Sequence, residues 1–306
     1  MVGSLTHEAM LYDGPAEFVS GIAAFLKEAV AAGQPVLVAV PGPHLELLTE
    51  TLDHAPVEIA DMGLLGRNPA RIIPAVRRFV DAHPGQPCSF VGEPIWAGRS
   101  AAEIDESTRH EALLNHAFAG EPLSILCPYD SNGLRDGIIA DALRTHPTAS
   151  GPGPLDVATD YADPASIYAA PDPPLATPPV QTTVLPFADA DDLPALRAAI
   201  RTYCRSARLT DGRIDDVVLS VDELASNTIR HGGGPGILRI WHDARALSCE
   251  IEGPGQIRDP LAGRRPPAPD ADRGRGLWLI NTLCDLTQIR TGPQGTTVRF
   301  RLALTD

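Results

Sequence analysis

No run of apolar residues in this 306-residue chain is long enough to cross a bilayer, so no segment reads as a membrane span. The first residues, MVGSLTHEAMLYDG, lack a basic stretch followed by an apolar core, and no signal peptide is expected. Basic residues are scarce: 25 Lys and Arg stand against 39 Asp and Glu, a formal net charge of -14. That balance argues against direct nucleic-acid binding, which calls for a basic face, and against docking on anionic lipid. Cysteine is scarce too. Cys88, Cys127, Cys204, Cys249 and Cys284 include no pair at metal-ligand or redox-motif spacing. They read as small buried hydrophobes in a reducing cytoplasm. A G-x-x-x-x-G-K-[ST] run is absent, which excludes a nucleotide-hydrolysing P-loop.

What is present is enough apolar material, 43% of residues, to build real cores, and enough length for two domains. Between residues 148 and 186 the chain is crowded with Pro, Ala, Gly and Asp. Proline restricts its own backbone and that of the residue before it, so this segment reads as an extended linker. The expected organisation is a domain over 1–147, a linker over 148–181 and a second domain over 182–306, without internal repeats.

The first domain alternates helical and strand patterns. Phe18, Ile22, Phe25, Leu26 and Val30 recur at helical spacing and predict a helix over 16–31. Residues 35–40, 57–60, 89–91 and 123–127 read as strands, and 44–54, 69–82 and 107–118 as helices. Such alternation predicts an α/β fold with a largely parallel sheet. In the second domain, strands are expected at 182–185, 236–242, 246–252, 286–290 and 296–304, and helices at 191–208, 213–230 and 276–284. Antiparallel hairpins with helices on one side make an α+β two-layer sandwich.

The helix over 213–230 carries the chemistry. Ile214, Val217, Val218, Val221, Leu224 and Ala225 form its core stripe, while Glu223, Asn227 and His231, each four residues apart, share a neighbouring face. A carboxylate and an amide oxygen one turn apart suit a hydrated magnesium ion and an attacking hydroxyl. Alone, E-x-x-x-N is a common polar stripe on a surface helix. Here VDELASNTIRHGGG is followed by a hairpin, then EGPGQIRDPLAGRRPP, then DRGRGLWLINTLCDLTQIRTGPQGTTVRF.

In that order of boxes the chain, from about 185 to its end, resembles the GHKL superfamily of ATPases, and within it the anti-sigma-factor serine kinases. The resemblance implies the Bergerat fold, with ATP and Mg2+ as cofactors. It implies Asn227 as the magnesium ligand and Glu223 as the general base or water-orienting carboxylate. Arg230 and His231 end the same helix near the phosphates. Arg273, Gly274, Arg275, Gly276 and Leu277 match the second glycine box, where backbone N–H groups at a helix start meet phosphate oxygens. Gly253 and Gly255 match the first glycine box, and Thr296 the terminal strand beside the adenine pocket. Arg258, Arg264, Arg265 and Arg273 lie in the intervening lid. The family's adenine-reading Asp aligns with Gly253 in one register and with Ile251 in another. In neither is it an Asp, so weak nucleotide binding with little preference for adenine is expected, and Gly253→Asp is expected to restore it. No phospho-acceptor His on a helical hairpin precedes this domain, which excludes histidine autophosphorylation.

His7 and Tyr12, RHEALLNHAF at 109–118 and ILCPYD at 125–130 resemble the MEDS sensory domain, across most of 5–147. That resemblance implies a RecA-like sheet and a ligand sensor. His7, Tyr12, Glu111, Asn115, Tyr129 and Asp130 are its candidate pocket groups, with Asp130 placed at the carboxyl edge where open α/β sheets bind ligands. The combined reading is a cytoplasmic switch. A sensor for a small molecule or redox cue governs an anti-sigma-type serine/threonine kinase that acts on a sigma factor or an anti-anti-sigma antagonist, with room for a homodimer. The alternative is a non-catalytic protein that sequesters its partner through a degenerate nucleotide site.

Overall fold

The computed structural model describes residues 4–53, 55–151, 160–163, 166, 174–267 and 274–304. The chain divides into two compact units, Met1–Ala170 and Pro171–Asp306. Both fold classes expected from the sequence are observed.

The first unit is a six-stranded sheet whose paired strands all run parallel, in the order β3-β2-β4-β5-β1-β6. Its elements are β1 (Thr6–Tyr12), α1 (Gly14–Ala31), β2 (Val36–Val40), α2 (Gly42–Leu47), α3 (Thr49–Leu52), β3 (Glu58–Asp61) and α4 (Met62–Leu65). They continue with α5 (Ile72–Asp81), β4 (Cys88–Gly92), α6 (Ala101–Ala117), β5 (Leu123–Asp130), α7 (Asp136–Thr145) and β6 (Thr148–Ser150). Every residue of β2 and β4 is buried, as expected of central parallel strands covered on both faces. Helix α1 lays Phe18, Ile22, Leu26 and Ala29 on one face of the sheet, against Met10, Tyr12, Val38 and Val40. Residue 148, where a linker was expected to begin, instead opens β6, which pairs with β1. The Thr148 hydroxyl also donates to the His7 carbonyl, so hydrogen bonds to the sheet override the local composition.

The second unit has a five-stranded sheet with antiparallel pairings, in the order β10-β11-β9-β8-β7. Its elements are β7 (Thr183–Phe187), α8 (Leu193–Ser206), α9 (Asp211–Gly232), β8 (Gly236–His242), β9 (Ala246–Gly253), α10 (Arg275–Leu283), β10 (Leu286–Gly292) and β11 (Gly295–Ala303). The α9 stripe from Ile214 to Ala225 is buried against Leu238, Ile240, Cys249, Ile251, Val298 and Phe300. Each such side chain contributes about 1.5–3 kcal/mol on burial. Helix α9 ends at Gly233, whose φ of 78° is the left-handed cap that glycine takes without a Cβ penalty. This stripe rotates Glu223 and Asn227 to the flank of the core, where they meet α10.

Candidate functional site

In the second unit a cavity of about 480 Å³ opens between α9, the edge of β9 and the segment after it. Its lining combines apolar side chains, Leu224, Ile251, Ile257, Leu261, Leu277 and Val298, with a polar part made by Asn227, His231 and the backbone of Gly274 and Gly276. Such a lining suits a ligand with a flat ring and a polar tail. Gly276 is the tight point. A Cβ there would lie 2.8 Å from Glu223 Oε2 and 2.9 Å from Asn227 Nδ2, so the backbone of the second glycine box rests directly on this pair. Both side chains are half-buried, and among the described residues neither has a hydrogen-bond partner. Gly274 precedes α10 with φ 85°, no side chain caps the helix, and the space beyond its Cα is open. The uncapped N–H groups and positive end of α10 therefore face the polar part of the cavity. These residues fit a magnesium-phosphate group.

The first glycine box is held by backbone approach. A Cβ on Gly255 would lie 2.7 Å from Gly232 Cα, so the end of α9 and this box touch main chain to main chain. Thr296 Oγ1 donates to the Gly255 carbonyl at 2.7 Å and contacts Thr291 Oγ1 at 3.0 Å. Asn281 Nδ2 donates to the Gly263 carbonyl at 2.8 Å, fastening the lid's inner end to α10. Both Gly253 and Ile251, the two positions at which the sequence could align a base-reading Asp, line the cavity. A Cβ on Gly253 would collide with Thr228 Cγ2. Ile251 is 2% exposed and sits among the apolar lining residues. An Asp introduced at Gly253 therefore has to displace the Thr228 side chain, whereas the Ile251 side chain already lies on the cavity's lining. Asp259 also lines the cavity, and its Oδ1 accepts from the Leu261 N–H.

The first unit holds two clusters instead of one pocket. In parallel strands, side chains two residues apart share a face. His7 on β1 and Cys127 and Tyr129 on β5 face α6 and α7, whereas Tyr12 and Asp130 face α1. On the α6 face, Glu111 Oε2 lies 3.1 Å from His7 Nε2, 3.3 Å from His146 Nε2 and 3.4 Å from Cys127 Sγ. His7 Nδ1 meets Asn115 Oδ1 at 3.1 Å, and Asn115 Nδ2 donates to the Thr145 carbonyl. Burial alone would raise the Glu111 carboxyl, but hydrogen bonds to His146 and His7 outweigh it and hold Glu111 below the usual carboxylate range. Burial, and then the neighbouring His146, lowers His7. Burial also pushes the Cys127 thiol and the Tyr129 phenol well up. On the α1 face, Tyr12 donates to Glu93 Oε1 at 3.1 Å, and His44 Nδ1 meets Glu93 Oε2 at 2.6 Å. Burial raises the Glu93 carboxyl, and the bond to Glu93 raises His44.

A family model described as "MEDS: MEthanogen/methylotroph, DcmR Sensory domain" matches residues 6–147, and one described as "Histidine kinase-like ATPase domain" matches residues 187–302. Residues 6–147 form a MEDS domain, and residues 187–302 a histidine kinase-like ATPase domain. The protein is therefore a regulatory signalling protein with a sensory and an ATPase domain. No curated protein matches the chain. Among solved structures, the RsbU and RsbW domains of a Mycobacterium tuberculosis protein align at 16% identity and TM-score 0.33. That alignment covers 41% of this chain and 33% of that one, so this chain spans about a third of its length. A DnaB-like replicative helicase solved with primase aligns at 8% identity and TM-score 0.32, covering 84% and 57%.

In the ATPase domain the structure brings Asn227, His231, Gly253, Gly255, Gly274, Gly276, Leu277 and Thr296 onto one cavity wall. Glu223 stands behind Gly276. Arg275 is exposed and off the wall, and Arg273 lies outside the described residues. Of the lid arginines, Arg265 lines the cavity, Arg264 is buried and Arg258 is exposed. Sequence reasoning missed Asn281 and Thr228, whose roles are contacts to glycine positions far along the chain. In the MEDS domain it missed Cys127, His146, His44 and Glu93. A buried His two residues before a short edge strand carries no local signal.

Proposed function

We propose that the ATPase domain binds magnesium-ATP chiefly through its phosphates and transfers the γ-phosphoryl group to a Ser or Thr hydroxyl of a partner protein. The MEDS domain sets how often it does so. The observation that carries this reading is the contact of Gly276 with the unpartnered Glu223 and Asn227, at 2.8 and 2.9 Å from a Cβ built there. Asn227 offers an amide oxygen as a ligand, and Glu223 a carboxylate able to accept the proton of an attacking hydroxyl. The α10 N-terminus and Arg265 add positive potential at the polar part of the cavity. Bound magnesium-ATP supplies the transferable group and neutralises its charge; the chain's contribution is positioning and the proton acceptor. The anti-sigma type of kinase, acting on a sigma-factor antagonist, fits the order of boxes in the sequence.

A second reading has one observation in its favour. Neither Ile251 nor Gly253, the two cavity-lining positions where a base-reading Asp could align, is acidic, which fits a domain that holds its partner without catalysis. Titration of the full chain with ATP and GTP, each with and without Mg2+, tests the first reading. It expects binding that Mg2+ strengthens, that Asn227→Ala reduces to the Mg2+-free level, and that discriminates little between the bases. Absence of any Mg2+-dependent binding would leave the sequestering reading.

A further inference from the structure

We propose that the MEDS domain binds one transition-metal dication, zinc by its ligand set, through His7, Glu111, Cys127 and His146. The four candidate ligand atoms lie within 4.8 Å of one another and all four residues are buried. They come from four separate segments: β1, α6, β5 and the residue after α7.

The distances match a coordination shell. A tetrahedral zinc with bonds of about 2.0–2.1 Å to N and O and about 2.3 Å to S spans ligand–ligand edges of roughly 3.3–3.6 Å. Four of the six edges here are 3.1, 3.3, 3.4 and 3.4 Å: Glu111 to His7, Glu111 to His146, Cys127 to His7 and Cys127 to Glu111. The His7 and His146 rings are 4.0 Å apart between centroids.

The hydrogen bonds around the cluster leave it short of a cation. Asn115 Nδ2 is committed to the Thr145 carbonyl, which turns Oδ1 toward His7 and makes His7 Nδ1 the donor. His146 Nδ1 donates to the Ala142 carbonyl at 2.8 Å. With both Nδ1 atoms serving as donors, each Nε2 is left to turn a lone pair toward a cation at the centre of the cluster. Three acceptors then converge in a fully buried space. Among the described residues His146 Nε2 and Glu111 Oε1 have no hydrogen-bond partner, an arrangement native interiors avoid unless an ion or water is bound. One dication answers all of this. It accepts both lone pairs and the carboxylate, displaces the Cys127 thiol proton to solvent, and leaves carboxylate, thiolate and metal at net zero charge. The Nδ1 bonds to Asn115 and Ala142 are the outer contacts that orient metal-bound imidazoles. This proposal stands independently of the kinase reading, since it involves none of the ATPase-domain residues.

The test uses the full chain, stripped with a chelator and titrated anaerobically with Co2+, which reports tetrahedral geometry and thiolate ligation by absorption. One equivalent is expected to give visible ligand-field bands and a near-ultraviolet thiolate-to-cobalt band, both bleached by one equivalent of Zn2+, the tighter binder. Cys127→Ser should lose the thiolate band, Cys88→Ser should keep it, and Asn115→Ala should weaken binding about 10–100-fold. A titration of the wild-type chain without a saturable one-equivalent thiolate band overturns the proposal, as does a band that survives Cys127→Ser. Should Cys127→Ser not fold, the wild-type titration decides, because among the described residues no other Cys lies in a group able to hold a metal.

Discussion

The spacing E-x-x-x-N occurs on a helix in both domains, and its two settings could hardly differ more. Glu111 and Asn115 on α6 are enclosed: the carboxylate meets two imidazoles and a thiol, and the amide is committed at both ends. Glu223 and Asn227 on α9 are half-buried, without partners among the described residues, at the edge of a 480 Å³ cavity. Helical spacing places a carboxylate and an amide on one face in each case, and decides nothing more. What faces the pair sets its role. Opposite Glu111 the strands supply His7 and Cys127; opposite Glu223 stands the bare backbone of Gly276, at the rim of the cavity.

That contrast can be broken by removing one charge at a time. The largest effect is expected at Glu223→Gln, which keeps size but removes the proton acceptor. Phosphoryl transfer should fall about 10²–10⁴-fold with Mg2+-nucleotide affinity nearly unchanged. A fully active variant would end the assignment of Glu223 as base. Glu111→Gln, the same change in the enclosed setting, should instead cost the zinc-loaded chain about 3–5 kcal/mol of MEDS-domain stability by denaturant melt, because it leaves the buried dication's charge uncompensated. Equal melting curves for Glu111→Gln and wild type would show that the cluster is not coupled. Third, Ile251→Asp should lower the stability of the ligand-free chain, since it buries a charge among the apolar lining residues. In return it should raise ATP affinity about 10–100-fold over GTP. If Gly253→Asp does this and Ile251→Asp does not, the base-reading position is 253.

The smallest effect lies on the α1 face. The folded-state pKa values of His44 and Glu93 are raised above 6.5 and 4.5 respectively. A raised folded value means stability present at low pH and lost as pH climbs through that value. The Tm advantage of wild type over His44→Gln should therefore be greatest near pH 5 and shrink above neutrality. An advantage that grows with pH contradicts the pairing.

The ATPase domain was almost wholly legible in the sequence. Strand β8 falls at 236–242 as expected, and the amphipathic stripe of α9 fixed both the core and the face that carries Glu223. The MEDS domain was less so. Its central strand β1 was missed because THEAMLY mixes His7 and Glu8 into the apolar run, and the reason His7 is there, the buried cluster, is a tertiary fact. Helix α7 was missed although Ile138 and Ala142 are spaced for a buried face. The helix expected over 44–54 breaks at Leu48 into α2 and α3, with His54 outside the described residues. Helix α6 begins six residues earlier than expected because Ser100 and Glu103 close a capping box. The six sensor residues were grouped by chemistry, and the two-residue alternation of β1 and β5 then sent them to opposite faces of the sheet.

The main-chain contact between Gly255 and Gly232 changes how any mutational scan of this domain is to be scored. Every substitution at Gly255 adds a Cβ 2.7 Å from a helix backbone, so its intolerance would report on assembly of the fold even in a variant with no use for nucleotide. Gly274 is the opposite probe. Its Cβ would meet open space and its left-handed backbone suits Asn, so Gly274→Asn should express and melt much like wild type. A screen that sorts first for folded protein and then for activity would pass Gly274→Asn through the first gate and Gly255 variants through neither. The pair thus serves as an internal calibration, separating what selection preserves for architecture from what it preserves for chemistry.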